Sequence, residues 1–264
     1  MKIDSKPRIC YNFTLSKSYN ATGMLIKSRA IVLHTQKYND TSFIVLLYTE
    51  AEGSVSFVVR IPKTSRAAIK NKLFQPLALL SIEWDMRDNQ SLQHLRTCSS
   101  LRPYASLPYN PYKATVSLFV YEFLFHALRS EKGSSETFEY VLNSLLWLDM
   151  KDEKFSNFHL VFMAKFSHFL GFEPNISELG KNVVFDMQNS SFVDSVPSHP
   201  YYIKGVESQM LPILLRVNYR SMHLLRLSRN DRNRILDLLC LYYRLHVPGF
   251  PELKSLDILR TLFD

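Results

Sequence analysis

At Pro103 the spacing of apolar residues changes, and that change constrains the fold more than any single motif does. From Met24 to Pro103, apolar and polar residues alternate in short runs, the period of a half-buried β-strand. Beyond Pro103 the apolar residues recur every three or four positions, the period of one helical face. A chain divided this way folds as a strand-built region followed by a helix-built one, an α+β protein in two domains. The expected division is 24–103 for the strands and 104–264 for the helices.

Five short strands are expected in the first region. Leu25 to His34 is apolar and β-branched, with Lys27 and Arg29 two apart and so on one face. Tyr38-Asn39-Asp40 carries turn chemistry ahead of a second run, Phe43 to Tyr48. After a turn at Glu50 to Gly53, Ser54 to Arg60 alternates with Val55, Phe57 and Val59 on one side. Leu77 to Asp85 sets Leu80, Ile82 and Trp84 against Ser81, Glu83 and Asp85, and a polar turn at Met86 to Gln90 leads to Ser91 to Thr97. Tight turns with one longer insert after the third strand describe a small β-barrel. An oligonucleotide-binding (OB) fold and an SH3-like barrel both satisfy the count.

The insert carries Arg60, Lys63, Arg66, Lys70 and Lys72 with no acidic residue among them. Such a run is either a solvated loop or an anion site, and the commonest extended anion in a cell is a nucleic acid backbone. The net charge of +8 and pI near 9.3 agree with a polyanionic partner. The candidate phosphate contacts are Lys27, Arg29, Lys37, Arg60, Lys63, Arg66, Lys70 and Lys72, with Tyr38 as a candidate stacking platform. Nothing resembles an element that reads groove edges, so no base specificity is expected. An anionic membrane would also suit the charge, but no run of eighteen apolar residues offers a span and no signal-peptide core is visible. Three widely separated cysteines (Cys10, Cys98, Cys240) suit a reducing compartment, so a cytosolic location is expected.

In the second region Asn110-Pro111 supplies an N-cap and a first-turn proline. Val116, Phe119, Val120, Phe123, Leu124, Ala127 and Leu128 then follow at helical spacing, until Gly133 and the serines after it. Phe138 to Leu148 reads as a second helix. A third, capped by Ser156 or Asn157, turns Phe158, Val161, Phe162, Phe166, Phe169 and Leu170 inward and ends at Gly171. Gly205 to Leu227, Asp231 to His246 and Ser255 to Phe263 read as further helices. Residues 172–204 are irregular, with Val183 to Phe185 and Ser191 to Val193 as candidate hairpin strands. Residues 1–23 are polar, show neither period, and are expected to be a weakly ordered extension.

Catalytic motifs are missing. No two of the seven glycines lie within six residues of each other, which excludes a P-loop and a dinucleotide-binding loop. His159 and His168 are nine apart, which is not ligand spacing, and Asp186 and Asp194 read as turn formers. With these motifs missing, a binding protein rather than an enzyme is expected.

A family resemblance sharpens this. Met24 to His34 (MLIKSRAIVLH), Tyr38, Asp40-Thr41-Ser42 and Tyr48-Thr49-Glu50 resemble the start of the bacterial DNA repair family RecO. So do Gly53 to Arg60 with its basic continuation and Leu73-Phe74-Gln75-Pro76-Leu77. Asn157-Phe158 through Leu170-Gly171-Phe172-Glu173-Pro174 resembles the middle of that family, and Arg232 to Leu259, with Leu241-Tyr242-Tyr243 and Leu253-Lys254-Ser255-Leu256, its end. Three blocks in order cover roughly 24 to 264. The resemblance implies an OB-fold domain followed by a helical domain, without enzymatic activity. It implies binding of single- and double-stranded DNA and strand annealing, with RecR and single-stranded-DNA-binding protein as partners in loading RecA. It also implies a cytoplasmic, nucleoid-associated protein. A generic RNA-binding barrel and a helical adaptor with a scaffold barrel are the alternatives outside the family.

Two departures from the family matter. Many RecO-like chains carry two cysteine pairs in the middle region, a zinc site. This chain has no cysteine and only His199 between Phe172 and Glu207, so no metal and no zinc finger are expected. A small cluster of Val183, Phe185, Phe192 and Tyr201 is expected instead. Ile61-Pro62 stands where relatives are more glycine-rich and should stiffen the start of the basic loop. A second basic concentration comprises Arg216, Arg220, Arg226, Arg229, Arg232 and Arg234. Arg216 and Arg220 are read as sharing a helical face. The stretch is read as a solvated face, a continuation of the DNA track, or a site for the acidic, apolar-ended tail of the single-strand-binding partner. The surroundings of Phe158 are a rival location for that tail.

Overall fold

The alternation that begins at Met24 closes on itself. The computed structural model describes residues 15–20, 23–60, 73–176 and 184–262. The chain divides into two units, Met1–Arg102 and Pro103–Asp264. The first holds β1 (Ser16–Asn20), β2 (Gly23–Asn39), β3 (Ser42–Thr49), β4 (Gly53–Arg60), β5 (Leu79–Met86) and β6 (Leu92–Arg102). The sheet order is β1-β2-β3-β4-β6-β5, and β5 pairs back onto β2. All ladders are antiparallel except β4–β6, where Ser56 to Val58 run alongside Leu92 to His94. This ring, β2-β3-β4-β6-β5, is the OB arrangement that strand count alone left open.

Alternation decides what fills the ring. Ile26, Ala30 and Val32 of β2 point inward and meet Val45, Phe57 and Trp84, with Phe57 edge-on to Trp84 at 5.5 Å. Burying each of the larger side chains contributes about 1.5–3 kcal/mol. Leu77, in positive φ, is fully buried. Its N–H donates to Val32 at 3.0 Å, tying the chain that follows the basic insert to the wall of the barrel.

Two expectations are corrected. Part of the N-terminal extension is a strand, since Ser16 to Asn20 pair with Lys27 to Gly23. Its described side chains are exposed, so backbone pairing holds it and no apolar period marks it. β2 and β6 also outrun the runs read from the sequence, because ladder bonds continue through polar residues. Bulges bend both: Leu33 and Tyr38 are the extra residues on β2, and Arg96 and Leu101 those on β6.

The second unit contains α1 (Pro111–Leu128), α2 (Ser135–Met150), α3 (Phe158–Phe169), α4 (Val206–Arg216), α5 (Arg229–His246) and α6 (Leu256–Arg260). Asn110 caps α1, accepting from the N–H groups of Tyr112 and Lys113. Ser228 and Asp231 form a capping box on α5. The expected cap of α3 does not form. Asn157 sits at the N-cap position, but its amide donates to Met222 O at 3.0 Å and Leu225 O at 2.9 Å. The helix expected from Gly205 to Leu227 stops at Arg216. There Asn218 Oδ1 accepts from the N–H groups of Arg220 and Ser221 and turns the chain.

Phe158, Phe162 and Phe166 stack along α3 with centroids 5.9 and 5.6 Å apart, and Phe123 of α1 meets Phe162 and Phe166 edge-on. Asp149 pins the segment before α1, accepting from the N–H groups of Ala105, Ser106 and Leu107. Burial pushes its pKa up, but these donors and the Lys113 ammonium hold it below the ordinary carboxylate value. In the insert, β7 (Val184–Asp186), β8 (Ser191–Val193) and β9 (Tyr202–Ile203) form a small sheet in the order β8-β7-β9.

Candidate nucleic-acid interface

Strand register gathers part of the expected cation set at one end of the barrel. β2 and β3 turn through Asp40-Thr41 between the paired residues Asn39 and Ser42, and Asn39 Oδ1 accepts from the Thr41 N–H at 3.0 Å. Ser42 pairs on its other side with Arg60, the last residue of β4. The hairpin tip with Lys37 and Tyr38 therefore lies beside Arg60, from which the chain enters 61–72. Lys37 and Arg60 are exposed. Lys37 is 3.2 Å from Asp40 in a solvated pair worth little against water. Tyr38, the extra residue of a bulge, is 61% exposed. Bulges re-aim side chains, and this one turns a ring outward at the tip. Lys63, Arg66, Lys70, Lys72 and the Ile61-Pro62 step lie outside the described residues.

The other two expected cations are elsewhere and engaged. Lys27 and Arg29 do share a face of β2, but roughly 25–35 Å of strand separates them from Lys37. Arg29 Nε and Nη2 each donate to Glu50 at 2.8 Å, with side-chain exposures of only 12% and 8%. This bidentate, largely desolvated pair commits Arg29 to the fold rather than to a phosphate. Lys27 Nζ lies 3.1 Å from Glu83, its register partner on β5. Nearby, Lys17 of β1 pairs with Glu52 at 2.5 Å.

The fold supplies cations that the sequence reading passed over. Arg87 is exposed in the β5–β6 turn. Gln93 locks that turn, accepting from Arg87 N–H and donating to the carbonyls of Arg87 and Gln90. Arg96, exposed on β6, is 3.6 Å from Asp85. In OB barrels, oligonucleotides lie on the second and third strands of the ring, between the loops after the first and fourth. Here those parts are β3, β4, the β2–β3 turn and the β5–β6 turn. Arg87 was visible as a basic residue in a polar turn. Arg96 was hidden because a bulge breaks the alternation around it.

In the helical unit, Arg216, Arg220 and Arg226 are exposed, but Arg220 lies in the turn beyond α4 and shares no helical face with Arg216. Arg229 Nε donates to Arg260 O at 2.9 Å, Arg232 Nη1 donates to Leu227 O at 2.8 Å, and Arg234 pairs with Glu207. Phe158 is 0% exposed, with its ring stacked on Tyr219 and Phe162, so it presents no surface to a tail. Burial, with the Arg232 charge beside it, holds His159 down to about 3, and the neutral ring meets Phe119 edge-on. A small half-open cleft lies among α4, α5 and the small sheet, lined by Phe185, Ile203, Leu211, Leu214 and Leu238, with Glu207 in its wall.

In the middle region, Phe185 and Phe192 pack at 5.0 Å, and Phe185 meets Tyr242 at 5.7 Å. Tyr201 is 36% exposed rather than part of the cluster. Buried Tyr242 joins it instead, and Val183 lies outside the described residues. Asp186 is a turn former, accepting from the N–H groups of Gln188 and Asn189. Among the described residues no group of three or more His, Cys, Asp or Glu is placed to hold a metal ion. No helix among them is long and apolar enough to cross a membrane.

A closed OB-type barrel with exposed cations at one end, followed by a helical unit, defines the class: a two-domain OB-fold protein. Residues 24–104 match the family model for the recombination protein O N terminal, and residues 109–257 match that for its C terminal. Proteins named DNA repair protein RecO from Phocaeicola vulgatus and Bacteroides fragilis are 46% identical over 240 and 242 residues. One from Porphyromonas gingivalis is 34% identical over 248 residues. Each alignment covers 91% of this chain and the whole of the relative. The chain belongs to the RecO family of DNA repair proteins. β1 precedes the region that the family model matches.

Proposed function

We propose that the protein is a non-enzymatic DNA-binding and strand-annealing protein of recombinational repair, acting in the cytoplasm at the nucleoid. In this reading it works with RecR and single-stranded-DNA-binding protein to promote RecA loading. The observation that carries it is the register that sets Lys37, Tyr38 and Arg60 together at the entrance to the basic segment. A surface of this kind grips phosphates without reading sequence. Lys63, Arg66, Lys70 and Lys72 extend the grip in the same reading, and Arg87 and Arg96, which the β2–β5 register sets near the start of β2, would add cations on the β5–β6 side of the barrel. The test is annealing of complementary oligonucleotides, bare and coated with single-stranded-DNA-binding protein. The expected result is acceleration of both, and no acceleration of either removes the reading.

For the tail of the single-strand-binding partner we propose the cleft among α4, α5 and the small sheet. An acidic tail with an apolar end needs an apolar slot and guanidinium forks that grip carboxylates with two hydrogen bonds. Support comes from the cleft's apolar lining; in this reading Arg234, paired with Glu207 in the wall, and the exposed Arg216 and Arg226 of the same stretch would supply the charge. Arg220 and Arg229 belong to the same basic stretch and would add to its field. Fluorescence titration should show that reversing charge at Arg226 and Arg234 abolishes peptide binding while bare-oligonucleotide affinity falls much less. Collapse of DNA affinity with peptide affinity intact would assign these arginines to the DNA track.

A further inference from the structure

Sequence-tolerant single-strand binders normally combine a cationic groove with several rings on which successive bases stack. Among its described side chains this barrel has the cations and lacks the rings. From Met24 to Arg102 the Phe, Tyr and Trp residues are Tyr38, Phe43, Tyr48, Phe57, Phe74 and Trp84. Tyr48, Phe57, Phe74 and Trp84 are buried, and Phe43 packs against the core. The basic segment 61–72 has no Phe, Tyr or Trp in its sequence. Tyr38 alone is exposed. Across the part of the ring where OB proteins lay oligonucleotides, half-buried Phe43 and Val55 fall on the core side of the alternation and pack against it. The other half-buried residues of β3 and β4 are Ile44, Leu46, Ser54, Ser56 and Val58. These are aliphatic or small and give a base no flat partner.

We propose that the barrel holds DNA by its phosphates and turns the bases outward, with Tyr38 as the single point at which it stacks a base. The inference rests on the DNA-binding reading above and deepens it. A strand held this way keeps its Watson–Crick edges free, so a complement pairs with it while it is still bound. A protein that stacked several bases would have to release them first. Phosphate contacts do not depend on whether the bases are paired, so a duplex stays held after pairing. Stacking on Tyr38 needs an open base face, which the interior of a duplex does not offer. Tyr38 therefore distinguishes unpaired from paired DNA, and the cations do not.

The test uses the full chain with a mixed-sequence single strand and a long duplex whose ends are a small fraction of its sites. Tyr38→Ala should weaken the single strand by roughly five- to a hundredfold, the equivalent of one stacked base. Duplex affinity should hold, which also shows that the variant is folded, and Tyr38→Phe should restore the single-strand affinity. Dimethyl sulfate should still methylate adenine N1 and cytosine N3 throughout the bound strand. Equal losses on both DNA forms, no loss on either, or protection of several consecutive bases would overturn the inference while leaving DNA binding standing. A wild-type protein that bound neither DNA would instead remove the reading beneath it.

Discussion

The two ends of the barrel carry cations of the same kinds and use them differently. At one, Arg29, Lys27 and Lys17 face Glu50, Glu83 and Glu52, and the Arg29 pair is nearly dry. At the other, Lys37 and Arg60 stand in solvent beside Tyr38, with only Asp40 opposing them among the described residues. A guanidinium inside a desolvated ion pair cannot leave for a phosphate without stranding its carboxylate, whereas a solvated ammonium loses almost nothing. Charge is therefore a poor guide to an interface until each cation's partner is known.

The largest effect should come from Arg29→Ala, which removes the bidentate guanidinium partner of largely buried Glu50. A loss of about 3 kcal/mol in denaturant unfolding is expected, with the salt dependence of DNA binding unchanged. A flattened salt slope at intact stability would place Arg29 on the DNA and erase the contrast between the ends. Next comes the triple change of Lys63, Arg66 and Lys70 to alanine. If about five cations engage single-stranded DNA, log K falls with log salt at a slope of roughly −3.5, and the triple variant should flatten it by up to about two units. Stability should move by no more than about 0.5 kcal/mol. An unchanged slope would take the insert out of the interface.

Changing Arg87 and Arg96 together should flatten the same slope by about one unit. No change would confine the interface to the hairpin tip and the insert. The smallest effect is expected for Lys27→Ala. Its partly exposed pair with Glu83 is worth at most about 1 kcal/mol, and equilibrium titration at several salt concentrations should show no change in slope. A slope change there would extend the DNA track down β2.

Much of the barrel was legible because burial imposes a period. Ile26, Phe57 and Trp84 each stand in an alternating run and each is fully buried. The helix starts were legible where the cap is local, as at Asn110, and misread where a side chain had a distant partner, as Asn157 does in Met222 and Leu225. The helical reading of Gly205 to Leu227 went too far because apolar spacing continues past Arg216 while the Asn218 turn ends the helix. In the candidate site, Lys37, Tyr38 and Arg60 could be nominated from residue type and turn chemistry. Arg29 could not be eliminated, because Glu50 is a neighbour across strands and not along the chain.

What the sequence by itself determined is everything that depends on spacing along one chain: strands before Pro103, helices after it, a basic insert, and family blocks in order. The tertiary structure decided what depends on pairing between distant segments. Ladder bonds made a strand of Ser16 to Asn20 without any apolar period, and the parallel β4–β6 and antiparallel β2–β5 pairings chose an OB ring over other barrels. A bulge turned Tyr38 outward, and packing buried Phe158, which had been read as inward-facing and also as a possible partner contact. The physical reason is common to all of these. Periodicity records which face of an element is buried, but hydrogen-bond register and ion pairing are settled by whichever backbone or carboxylate the fold brings alongside.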